Sequence, residues 1–333
     1  MLLTTDDCDE LLALALPAYG MGPAVDVRLL SLSENGTYLV RDDDRVVVAR
    51  VHRHGYQDAA SIRSELAWTD ALRVDADVRT PAVVPTLDGE QVVRLDRPEG
   101  ERHVVLFTYV PGTTAEESPL PVAYDALGAL TARMHRQVED WPRPDGFTRF
   151  HWDAAACLGP DARWGSWRDA PGVDAGSAVL AEAEEVVLAR LEEYGTGPGR
   201  YGLVHADLRL ANLMVDDERR LTVIDFDDCG HGWFLYDLAA ALSWQEHEAH
   251  VPAAVADWLA GYATQRSLGA DDLAMVPVFV MLRRLMLTAW LGTHPDSPPA
   301  LGWGRAYAAG TADLADRFLS DPTWLRADPE ERP

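Results

Sequence analysis

The chain has 333 residues and a formal net charge of -25, from 54 acidic residues against 29 basic ones, all of them arginine. Without lysine there can be no phosphate-binding loop ending in Gly-Lys-[Ser/Thr] and no Schiff-base lysine chemistry. A pI near 4.6 makes nucleic acid a poor partner, because a strongly acidic surface would repel phosphates instead of releasing their counterions. Abundant Ala, Arg, Asp, Gly and Pro fit the codon bias of a GC-rich genome, so the missing lysine reads as a constraint and not as an adaptation.

At roughly 150 residues per domain, this length suggests two domains or lobes, and a hydrophobic content of 47% with 11 tryptophans supplies ample core. Met1–Asp7 holds no basic region followed by a long apolar run, which argues against a secretory leader. Cys8, Cys157 and Cys229 stand far apart, with neither zinc-ligand spacing nor a disulfide framework. A cytoplasmic protein is expected.

In chain order, β-branched runs bounded by turn formers predict strands over 25–30, 37–40 and 46–51. Ile62, Leu66, Thr69 and Leu72 stand three and four apart and predict an amphipathic helix over 59–73. Short strands follow around 82–84, 91–93 and 103–107, ended by Pro111-Gly112. Helices are predicted over 121–136, 176–193, 235–247, 252–266, 271–291 and 304–319, interrupted by small strands near 202–205, 212–215 and 221–226. The stretch 276–291 is the most apolar late segment, but Arg283 and Arg284 break the run of ~18 or more uncharged residues that a membrane span needs, so no membrane is expected.

The informative segment is His205-Ala-Asp207-Leu-Arg209-Leu-Ala-Asn212, followed by Val223-Ile-Asp225-Phe-Asp227-Asp228. A carboxylate, an amide five residues on and a second carboxylate after a short strand make a compact set of hard oxygen donors, which suits magnesium shared with substrate phosphates. An acidic surface loop with ordinary capping is the competing reading, but it leaves these intervals unexplained. The string resembles the catalytic loop and metal-binding Asp of the eukaryotic-like kinase superfamily, where His-x-Asp-x-x-x-x-Asn precedes the metal Asp. Within it, the chain is most similar to the aminoglycoside phosphotransferase and choline-kinase-like branch, which commonly has a small residue after the His, here Ala206, and Ile-Asp-Phe at the metal Asp.

The resemblance implies that Asp207 accepts or orients the proton of a substrate hydroxyl, that Asn212 and Asp225 hold Mg2+, and that His205 braces the loop. Arg209 would offset charge near the γ-phosphate, and Asp237 would anchor the catalytic-loop backbone. In the N-terminal part, Ser33 and Asn35 fall where the family places its nucleotide-covering loop, although with one glycine the segment also reads as a plain hairpin turn. Arg50 stands in for the strand lysine that grips the nucleotide phosphates, with Glu65 as its ion-pair partner fifteen residues later. This departs from the family pattern, since a planar guanidinium is longer than an ammonium and grips phosphate bidentately; an exposed strand arginine is the other reading. Thr108 and Val110 match the inter-lobe linker whose backbone reads the adenine edge.

The implied fold is an α+β, bilobal protein-kinase-like one. Residues 1–107 would form a β-rich nucleotide-binding lobe, 108–112 the linker, and 113–333 a helical lobe with the catalytic loop and acceptor site. The implied activity is a Mg2+-dependent transfer of the γ-phosphate of ATP or GTP to a hydroxyl of a small molecule. Its acceptor could be an aminoglycoside or other antibiotic, an amino alcohol such as choline or homoserine, or a sugar. A protein Ser/Thr kinase similar to stress-response kinase A and a nucleotide-binding pseudokinase share the motifs. Trp233, Tyr236, Trp244, Trp290 and Trp303 are candidates for an acceptor pocket or for core, and Gln245–His250 for a metal site or a charged helix surface. The net charge suits steering of a cationic acceptor, or simply solubility.

Overall fold

The computed structural model describes residues 4–32, 34–119, 122–173, 177–321 and 323–325, so Ser33 lies outside the described residues. The chain divides into two compact units, Met1–Thr113 with Pro142–Arg149 and Met214–Asp227, and Thr114–Trp141 with Phe150–Leu213 and Asp228–Pro333.

The first unit opens with α1 (Thr5–Ala15), whose N-terminus is capped by the Thr4 side chain accepting from the Asp7 amide. This helix adds to the predicted elements; its signal is the spacing of Cys8, Leu11, Leu12 and Ala15, all of them buried. Strands β1 (Asp26–Leu32), β2 (Gly36–Asp42) and β3 (Arg45–Val51) form an antiparallel meander. Helix α2 (Ala59–Asp75) follows, then β4 (Val83–Val84), β5 (Val93–Arg97) and β6 (Gly100–Thr108). The sheet runs β1-β2-β3-β6-β4, with β5 paired to β6.

Alternation along the strands sends Val47, Ala49 and Val51 into one core with Tyr38, Val104, Leu106 and the buried face of α1. Ile62 and Leu66 of α2 form a second core with Val92 and Val105. Arg50 alternates with Ala49 and Val51, and so faces α2 rather than α1.

After the two-residue strand β7 (Thr113–Thr114) come α3 (Tyr124–Asp140), α4 (Ala154–Leu158), α5 (Ala178–Tyr194) and β8 (Tyr201–Val204). Strands β9 (Leu213–Val215) and β10 (Leu221–Val223) pair with each other, and β11 (Gly230–Trp233) pairs antiparallel with β8. Four α-helices follow among the described residues: α6 (Tyr236–Ala241), α7 (Val251–Ala263), α8 (Ala270–Thr293) and α9 (Arg305–Ser320). The predicted 235–247 helix stops at Ala241 because the chain turns there, with Trp244 in the left-handed region at φ 73°.

Helix α8 is long and apolar enough by composition to cross a bilayer, but 78% of its most apolar window is buried inside this protein. It packs against α5, α6 and α9 as a core helix. The three cysteines are buried thiols.

Helices α3 and α7 approach closely through glycine. A Cβ on Gly128 would overlap the Trp258 carbonyl, and one on Gly261 the Asp125 carbonyl. Helix propensity alone favours Gly→Ala by about 1 kcal/mol. Backbone overlap outweighs that gain, so Gly261→Ala is expected to destabilise the protein by about 1–3 kcal/mol in urea unfolding; a stabilised variant would refute the close crossing.

Candidate active site

In the second unit, β8 delivers the chain into the loop His205–Asn212, and the turn requires Ala206 at φ 66°, a costly conformation for a residue with a Cβ. The strain is held by Asp237 at the start of α6. One of its oxygens accepts from the Ala206 amide at 2.8 Å, and the other from the His205 amide and the His135 ring, each at 3.0 Å. A carboxylate only accepts, so His135 donates through Nε2 and its Nδ1 takes the Tyr262 hydroxyl at 2.9 Å. Burial keeps His135 below its ordinary pKa and neutral. His205 is fully buried, and its Nδ1 accepts from the Asp207 amide at 3.3 Å.

Three donors meet on Asp207. Oδ2 accepts from Asn212 Nδ2 at 2.8 Å and from Arg209 Nε at 3.2 Å, while Oδ1 accepts from Arg283 Nη2 at 2.5 Å. Burial opposes ionisation, yet the Arg209 and Arg283 guanidiniums hold the carboxyl below the ordinary carboxylate range. Asn212 also donates to the Asp207 carbonyl at 2.8 Å.

In the first unit, Arg50 is buried and donates to Glu65 at 2.5 Å, with Asp225 at 3.5 Å. Burial works against the guanidinium's charge, but Glu65, Asp227 and Asp225 outweigh it and keep the pKa above its ordinary value. Asp225 is exposed and left-handed, at φ 58°. Asp227 is the buried hub: its carboxylate accepts from Asn35 Nδ2 at 3.0 Å, and its carbonyl from Gln57 at 2.8 Å and Arg149 at 2.5 Å. The Asn35 oxygen accepts from the Arg53 amide at 3.0 Å, so this side chain is engaged at both ends. The loop's single glycine answers to packing, since a Cβ on Gly36 would lie 2.7 Å from Cys8 Sγ. Thr108 closes β6 with its amide on the Ala82 carbonyl at 2.8 Å, and half-buried Val110 follows outside any strand.

His52 lies beside Asp227, Nδ1 to Oδ1 3.6 Å, where burial and the Arg50 charge push its pKa from 6.5 to about 4. The unfolded chain takes up this proton near 6.5 and the folded one only near 4. The contribution is therefore complete above pH 6.5 and lost as pH falls from there towards 4, by about 3 kcal/mol in all. Denaturant unfolding of His52→Gln should show a flatter decline between pH 7 and 4.5 than wild type; parallel curves would refute this.

Trp233 and Tyr236 are core residues, 3% and 2% exposed. Trp244, which contacts Trp290 and Trp303, instead lines a cavity of about 500 Å³ with Trp303, Tyr307, Glu248 and Asp313. Gln245–His250 lies beyond the end of α6: Glu246 is buried against Arg284 at 3.3 Å, while His247, Glu248 and His250 are surface groups on a turn and not on a helix, and no group of three or more His, Cys, Asp or Glu that could hold a metal ion occurs among the described residues.

Residues 26–273 match the model of the phosphotransferase enzyme family. The chain belongs to that family. It is 47% identical to a solved microcompartment-associated aminopropanol kinase, over 94% of this chain and 98% of that one, with a TM-score of 0.88. It is 22% identical over 291 residues to the amicoumacin kinase of Bacillus subtilis (strain 168), covering 84% of this chain and 83% of that protein. The amicoumacin kinase hAmiN, solved with AMP-PNP, Ca2+ and Ami, is 21% identical with a TM-score of 0.74, over 92% of this chain and 93% of that one. This family member is thus an enzyme, a small-molecule kinase with an alcohol group as acceptor, on the expected α+β protein-kinase-like fold.

Sequence reasoning missed Arg283 and Asp227. Arg283 stood out only as a charge in an apolar helix, and a buried cation calls for an anion. Asp227 sits two residues from Asp225 in an acidic run, with nothing in the pattern to separate their surroundings.

Proposed function

We propose that this enzyme transfers the γ-phosphate of ATP to the hydroxyl of a small amino alcohol of the aminopropanol class, with Mg2+, in the cytoplasm. The observation that carries the reading is 47% identity to the aminopropanol kinase across nearly the whole of both chains. In this scheme the acceptor oxygen attacks the γ-phosphorus, the bond to the β–γ bridging oxygen breaks, and the hydroxyl proton passes to Asp207. His205 and Asp237 keep the loop in its strained turn, and Arg209 offsets charge on the transferring group. Arg50, fixed by Glu65, binds the nucleotide phosphates; Ser33 and Asn35 belong to the covering loop, and the backbone at Thr108 and Val110 faces the base.

Asn212 and Asp225 are the proposed metal ligands. The chemistry of the donors fits: Asn212 spends its amide nitrogen on Asp207, which leaves its oxygen to face a hard cation, and the Asp225 carboxylate is 49% exposed. Mg2+, when bound, would neutralise charge on the phosphates.

The test is ADP release from MgATP with 1-amino-2-propanol, choline, homoserine, an aminoglycoside and propan-2-ol. The amino alcohol should be the preferred acceptor, propan-2-ol should fail, and GTP in place of ATP shows whether the donor is selected. Phosphate on Ser or Thr of added proteins, but on no small alcohol, would overturn the reading.

A further inference from the structure

Arg283 is 1% exposed at the centre of α8, among Val280, Met281, Leu282, Leu285 and Met286. Desolvating a guanidinium is expensive, and apolar packing alone would be served better by Met or Leu. Every nitrogen of this one is nonetheless spent. Nε donates to Ser243 Oγ at 2.9 Å, Nη1 to the Ala206 carbonyl and the Tyr236 hydroxyl at 3.1 Å each, and Nη2 to Asp207 Oδ1 at 2.5 Å. The Trp164 ring lies 4.9 Å from Cζ. A single rigid fork therefore grips the carbonyl of the strained residue and the side chain of the residue after it, and ties both to Tyr236 at the start of α6 and to Ser243 just beyond its end. A lysine ammonium, a point donor on a flexible stem, cannot span four partners in one plane.

We propose that Arg283 is a positioning residue for phosphoryl transfer: it fixes the Asp207 carboxylate through Oδ1, in the orientation that meets the acceptor hydroxyl. This rests on the reading of Asp207 given above. Asp207 is 17% exposed at its side chain and Arg283 is deep behind it, so the guanidinium acts through the carboxylate and not on the substrate. Arg284, the next residue, is the internal comparison. It is equally buried, but its partners are Glu246, His247, Thr311 and the Tyr307 carbonyl, none of them in the catalytic loop.

The test is steady-state kinetics of Arg283→Met and Arg283→Lys, alone and combined with Asp207→Asn. Arg283→Met should lower kcat by about 100-fold while leaving KM for MgATP and for the amino alcohol within about threefold, and Arg283→Lys should restore part of the loss. In the Asp207→Asn background, Arg283→Met should cost no more than about a further threefold, because the group it positions is already gone. Arg284→Met removes an equally buried guanidinium that makes no bond to the catalytic loop, and its effect should multiply with that of Asp207→Asn. Should Arg283→Met fail to fold, Ser243→Ala, which releases only Nε, should still lower kcat without raising KM. Folded Arg283 variants with kcat within about threefold of wild type, or losses that multiply fully with Asp207→Asn, overturn the proposal. A wild-type protein that turns over no acceptor sinks the underlying reading instead, so the two failures are distinct.

Discussion

Asp207→Asn should lower kcat by about 10²–10⁴-fold, equivalent to roughly 3–5 kcal/mol of barrier, with nucleotide affinity nearly unchanged. The substitution keeps the shape of the side chain and removes its charge, and charge is what its surroundings are arranged around: Arg283 on Oδ1, Arg209 and Asn212 on Oδ2. A carboxamide can still accept from one of these groups, but it cannot take a proton from the acceptor, and its NH2 group would oppose one of the donors. Arg209 is 36% exposed at its side chain and can turn to solvent, whereas Arg283 would remain buried beside a neutral partner. Some loss of stability should therefore accompany the loss of turnover. Calorimetric titration with a non-hydrolysable nucleotide and a kcat measurement on the same preparation separate the two effects; turnover within tenfold of wild type would remove Asp207 from the reaction.

What could be read in the sequence follows how local each signal is. The strands and helices around the sheet were legible because alternation and three-to-four spacing are properties of short windows, as at 46–51 and 59–73. The pairing of Arg50 with Glu65 was legible only through the family resemblance, which matches Arg50 to the strand lysine and Glu65 to its helix partner; strand alternation and helix spacing alone left an exposed strand arginine open. The end of α6 was not, because a left-handed tryptophan at 244 has no compositional mark. Nor was the engagement of Asn35 by Asp227, which depends on residues 192 positions apart. Arg283 is the most instructive miss. Read along the chain, it interrupts an apolar segment and argues only against a membrane span. Its meaning lies in a contact 76 residues away. Buried charge in a core helix is a request for a partner, and the sequence pattern alone does not name that partner.

Asp237→Ala should be the most destabilising of the substitutions considered, by about 3–5 kcal/mol in denaturant unfolding. The side chain is fully buried and receives two backbone amides and a histidine, so truncation leaves three donors without acceptors where water does not reach. Two of those amides belong to His205 and Ala206, and Ala206 occupies a backbone conformation that pays no return of its own. The Asp237 bonds are what over-determine that turn, so the loop should relax when they are removed, taking Asp207 off its three partners. Asp237→Asn keeps one acceptor oxygen for at most part of this load and should fall between wild type and the alanine variant. Activity should track the same order, and it should fall further than stability at temperatures where the variants remain folded, because the loop is lost before the helices that carry it. Equal stability of Asp237→Ala and wild type would mean that the amides of His205 and Ala206 find other acceptors, and the strained turn would then need another cause.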